Sequence, residues 1–157
     1  MGQFVFDQLS FARQSLLNTV KEISENQADS VPEGFNNNIR WNLGHVCIVQ
    51  ERYAFYFAGE PIGVPDVFTE LFAFGTRPSE WKIKPPSLQE LVETLTDQPK
   101  RIRERLQDRL DEAITNPVER GSLSLSTFDE LLTFSLFHEG QHIQAVKTLI
   151  KMTSKLG

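Results

Sequence analysis

Cysteine is almost missing from this chain of 157 residues. Cys47 stands alone, so no disulfide can form within it. A lone thiol fits a reducing compartment, because small oxidised domains rely on several paired cysteines. Long apolar runs are missing too, and no stretch reaches the roughly 18 residues that a membrane-spanning helix needs. The opening, MGQFVFDQLSFARQ, has neither the basic start nor the apolar run of a secretory signal. Phe6 stands where a myristoylation motif requires Ser or Thr. Positive charge is not in excess: the net charge is −5 and the pI about 5.2, which argues against a broad nucleic-acid face. The expectation is a cytoplasmic protein with no membrane and no nucleic-acid partner.

What is present reads as one domain over 1–157, long enough to bury its own core. Four segments carry helical periodicity. The first covers about 3–26, with Val5, Leu9, Ala12, Leu16, Val20 and Ile23 in one stripe. The second covers about 39–59 behind Asn38, whose side chain can cap it. The third covers about 87–114, opened by the capping pair Ser87 and Glu90, and Pro99 should kink or split it. The fourth covers about 126–154, with Ser126 and Asp129 as its cap pair. No strand pattern competes, so the fold class expected is all-α, a four-helix bundle. The connection at 60–86 is longer than a bundle turn needs and carries Phe68, Phe72, Phe74 and Trp81. It reads as a short helix and loop over one end. That piece serves either as a pocket wall or lid, or as satellite core or dimer contact.

Histidine is scarce as well, and its placement is the most informative feature. His138 and His142 stand at i and i+4, one turn apart on one helix face. The apolar stripe Leu131, Phe134, Ala145, Leu149 and Met152 continues through them. His45 follows Trp41 by four residues and precedes Ile48 by three, so it also faces inward. Burying imidazoles without partners is costly, and a shared divalent metal supplies the partner. Three protein ligands with an open fourth position are the usual arrangement of a catalytic site. The alternative is three core histidines that merely hydrogen-bond.

The string His138-Glu139-x-x-His142 matches the zincin protease motif, in which Glu139 would be the general base. A zincin needs a further ligand downstream, and none of the fifteen residues after His142 is His, Asp, Glu or Cys. Peptidase activity is therefore set aside. About 100° around the helix from His138, Glu139 belongs at the rim, either as a base or as a surface residue. Arg52, seven residues after His45, lies on the same face and either holds an anionic substrate group or joins a buried ion pair. Trp41 should support His45 from one turn away, and Cys47, nearly opposite, should be a buried structural thiol.

The stretches Ile39-Arg40-Trp41-Asn42-Leu43-Gly44-His45-Val46 and His138-Glu139-Gly140-Gln141-His142-Ile143-Gln144 together resemble the DinB-like metal-binding bundles. That family includes YfiT-like hydrolases and thiol-dependent transferases. The resemblance covers nearly the whole chain. It implies a left-handed up-up-down-down bundle and frequent homodimers. It also implies a nickel or zinc ion on His45, His138 and His142. Gln144 departs from the small residue that relatives often carry there, without touching the ligands. The activity implied is transfer of a low-molecular-weight thiol to an electrophile, or hydrolysis, on a small-molecule substrate. The competing expectation is a non-enzymatic metal-binding or partner-binding module, closed by a fourth ligand such as Glu51 or Glu139.

Overall fold

Side-chain caps mark where four of the helices begin. The structure, a computed structural model, describes residues 3–156. Asn38 accepts from the Trp41 amide at 2.8 Å and starts α3 (Ile39–Ala54). Ser87 and Glu90 form the expected reciprocal box and start α5 (Leu88–Leu106). α1 (Gln3–Thr19) stops short of the expected residue 26. After a turn, Ser24 accepts from the Gln27 amide at 3.1 Å and nucleates a separate short helix, α2 (Glu25–Asp29). The 60–86 connection folds as α4 (Asp66–Phe72) followed by a single 3-10 turn at Pro78–Glu80. α6 (Phe128–Thr153) is the longest element. α1 and α3 both pack on α6, and α5 lies against α1 and α3.

Three expectations are corrected. The all-α reading gives way to a mostly helical fold with a small antiparallel sheet, β1 (Ala113–Arg120) and β2 (Leu123–Thr127). Helix three therefore ends at Leu106, not near 114. The buried positions of β1, Ile114 and Val118, are four apart because its register shifts between Ala113 and Val118. That spacing imitates a helix rather than the period of two that marks a regular strand. Gly121, at φ 60°, and Ser122 form a two-residue turn of the kind that joins twisted strands. The cap of α6 also moves by one residue: Thr127 and Glu130 make the box, because β2 runs through Thr127 and the helix begins only at Phe128.

Pro99 does not split α5, which runs on through it, and the carbonyl it frees is not left bare. Proline has no amide hydrogen for Leu95, four residues earlier. Arg13, buried on α1, donates its Nη1 to that Leu95 carbonyl at 2.7 Å and its Nε to Glu139 of α6 at 2.8 Å. One guanidinium thus joins three helices and satisfies both partners. Glu139 is consequently a core residue, 1% exposed, and not at the rim or surface. The buried stripe of α6 runs through Leu132, Ser135, Glu139, Ile143, Val146, Leu149 and Thr153, while Met152 is exposed. His138 and His142 flank this stripe and are half-buried. Among the described residues, no helix is long and apolar enough to cross a membrane.

Candidate metal centre

His45 is placed by a close helix approach. A Cβ on Gly44 would meet the Phe72 ring at 2.3 Å, so only glycine lets α4 settle this tightly on α3. Phe72 is fully buried there, and its carbonyl lies 2.7 Å from Nδ1 of His45. A carbonyl only accepts, so Nδ1 carries the proton and Nε2 of His45 presents a lone pair. Trp41 stacks on the same imidazole, with ring centres 4.4 Å apart and planes 13° from parallel. Trp41 in turn donates its Nε1 to Thr76 at 2.9 Å. The aromatic connection is thus core at Phe68 and Phe72 and site wall at Ala73 and Phe74.

His142 is oriented in the same manner. The Asn42 amide donates to the Asn38 carbonyl at 2.8 Å and to Asn37 at 3.1 Å. Its Oδ1 is left to accept from Nδ1 of His142 at 2.8 Å. His138 completes the group, with its Nε2 3.2 Å from Nε2 of His45. One ring nitrogen from each histidine lies within 4.8 Å of the others. Burial holds all three rings below the ordinary histidine range. His138 falls to about 3, helped by the neighbouring rings of His142 and His45, and His142 to about 4, helped by His45. They are therefore neutral at pH 7, the state that coordinates a metal. The donor chemistry fits a divalent ion: three neutral imidazoles converge, and outer acceptors set the tautomers of His45 and His142.

The remaining candidates separate clearly. Arg52 and the histidines His45 and His138 line one cleft of about 370 Å³. Glu139 is engaged by Arg13, and Glu51 accepts from the Gly63 amide, from Gln98 and from Arg101, so neither joins the histidine group. Cys47 is buried, and burial pushes its thiol up to about 12, consistent with an inert structural role. Sequence reasoning missed Asn42, Phe72, Tyr53 and Arg120. The last two could have been found through the hairpin signal Gly121-Ser122, since β1 brings Arg120 to the Tyr53 hydroxyl at 2.7 Å.

Comparison with known proteins gives a concordant result. A family model described as the DinB superfamily matches residues 8–146. A crystal structure of a conserved protein from Enterococcus faecalis superposes with a TM-score of 0.75 at 14% identity, covering 99% of this chain and 98% of that one. At that identity the likeness speaks for the fold. No curated protein matches the chain.

Proposed function

This chain belongs to the DinB superfamily, and from that premise we propose that it is a metal-dependent enzyme acting on a small molecule. His45, His138 and His142 would hold one divalent ion, zinc or nickel. The observation that carries this reading is the convergence of three neutral imidazoles, two of which, His45 and His138, line a cleft. A bound ion supplies Lewis acidity, lowering the pKa of a coordinated water or thiol. The chain supplies the rest. The Phe72 carbonyl and the Asn42 amide oxygen aim the imidazole lone pairs, and Trp41 braces His45 from the side. Tyr53, Phe57 and Phe74 line the cleft beside His45 and His138. This arrangement suits transfer of a low-molecular-weight thiol to an electrophile, or hydrolysis. Glu139 has no place as the base in this reading, because its carboxylate is committed to Arg13.

The second reading is a non-enzymatic metal-binding module with a closed site. The open cleft beside His45 and His138 favours the enzyme, as does the engagement of Glu51 and Glu139 by arginines. The proposal further takes 1–157 as a single up-up-down-down bundle, cytoplasmic and homodimeric. Phe4 and Phe11, 66% and 78% exposed on α1, offer apolar surface for a second copy. Elemental analysis of untagged protein tests the centre. Stoichiometric metal should be present and be lost in both His45→Ala and His142→Ala. An empty protein after loading with zinc, nickel and manganese, or unchanged metal in the variants, refutes it. Biological thiols should then shift the spectrum of the cobalt-loaded protein; no shift would point to hydrolysis or to binding alone.

A further inference from the structure

The cleft beside the histidines carries cations that metal binding does not use. Nine arginines occur in the sequence. Seven of them, at positions 13, 40, 77, 101, 103, 105 and 109, pair with a carboxylate. Among the described residues, the two without an acidic partner are Arg52 and Arg120, and both line this cleft. Chance placement is a poor account in a chain with 21 acidic residues and a net charge of −5.

The two guanidinium groups are also held in place. Each lies 5.4 Å from the centre of the Phe57 ring. Arg52 additionally covers Tyr56 at 4.8 Å, and Arg120 covers Tyr53 at 5.6 Å while donating its Nε to the Tyr53 hydroxyl. Stacking on aromatic faces orients a guanidinium; Arg120 also donates its Nη1 to the Glu119 carbonyl at 2.8 Å, which leaves its Nη2 for a ligand. They come from α3 and from the tip of β1, far apart in sequence, and meet only in this cleft. Two like charges brought together without a counter-ion repel one another, and an anion seated between them relieves that cost.

We propose that Arg52 and Arg120 form the anion-binding end of the substrate cleft, taking the carboxylate or phosphate group of a small organic acid. Its apolar body lies against Ile48, Val49 and Phe74, and its reactive end points to His45 and His138. The substrate class rests on the reading of this cleft as the active site, but the anion subsite is testable without metal.

The test titrates metal-free and zinc-loaded full-length protein calorimetrically with benzoate, phenyl phosphate and the neutral isostere benzamide. At least one of the two anions should bind the metal-free protein, and whichever is tighter names the preferred group. Benzamide should bind roughly tenfold or more weaker, as expected for loss of hydrogen bonds to a charged group. Arg52→Gln and Arg120→Gln should each weaken the anion by a similar factor, with helical circular dichroism and zinc content unchanged. Anions that bind both variants as well as the parent, anions that bind only when zinc is present, or no anion binding at all would overturn the subsite. Failure of the metal reading would appear separately, as absent zinc in a parent that still binds the anion.

Discussion

Asn42 is not a ligand candidate, yet the centre depends on it. Its amide oxygen receives Nδ1–H of His142, and its own amide hydrogens are spent on Asn38 and Asn37, which fixes which way it faces. Groups that orient a metal-binding histidine typically contribute a factor of about 10–100 in metal affinity. Asn42→Ala should weaken zinc binding by about that factor in a chelator competition, with all three histidines intact. An affinity equal to the parent's would mean that His142 is held by packing alone. The residue scale was partly legible from sequence. The i, i+4 spacing of His138 and His142 and the neighbourhood of Trp41 and His45 follow from helix geometry alone. The tautomer of His45 was not legible, because its partner is a backbone carbonyl 27 residues away.

Among elements, the packing of α4 on α3 carries the consequence for function. Gly44 admits the Phe72 ring, and Phe72 then holds His45 through its carbonyl. Gly44→Ala raises helix propensity by about 1 kcal/mol when nothing else moves. Here the added methyl must displace a buried aromatic ring, and overpacking of this kind costs about 1–3 kcal/mol. We expect a net loss of stability in urea unfolding together with weaker zinc binding, although no ligand has changed. A variant of parental stability and parental zinc affinity would disprove the coupling between α4 and the centre. The hairpin teaches the complementary lesson. Its bulged first strand spaces Ile114 and Val118 like a helix, so periodicity misreads it, while the Gly121-Ser122 turn is the local signal that remains.

At the scale of the whole molecule, burial of three imidazoles ties stability to pH and metal. A histidine in the unfolded chain titrates near 6.5, whereas folding lowers His138 to about 3 and His142 to about 4. Below about 6.5 the unfolded chain therefore binds protons that the folded chain refuses, and stability falls as pH drops. The effect is fully absent above the unfolded pKa and grows toward the folded values. The carboxylates held low by arginines, such as Glu60 beside Arg109 and Arg105, start to contribute only below 4.5. Thermal melts of metal-free protein from pH 7 to 5 should thus show a decline that is shallower in a His138→Gln/His142→Gln variant, which keeps only the share of His45. Zinc at about 100 times its Kd should add about 2.7 kcal/mol at pH 7, an increment lost in acid as protons displace the ion. A flat parental profile over this range would refute the neutral, buried state of the rings.

The sequence by itself determined what short-range geometry controls. The caps at Asn38 and Ser87, the predominance of helix, the His138–His142 pair and the separation of Cys47 from the site all follow from spacing within one helix. Tertiary structure decided everything that required two distant segments to meet. Glu139 reads from sequence as a base or a surface residue, yet Arg13, 126 positions away, takes it into the core while also covering the carbonyl freed by Pro99. Arg120 falls between the third and fourth helical segments with no role legible from sequence, yet the hairpin brings it to Tyr53 and into the cleft with Arg52. A local pattern specifies which face of a helix a residue occupies. Only the packing of helices against one another decides whether that face meets a partner charge, a metal or open solvent.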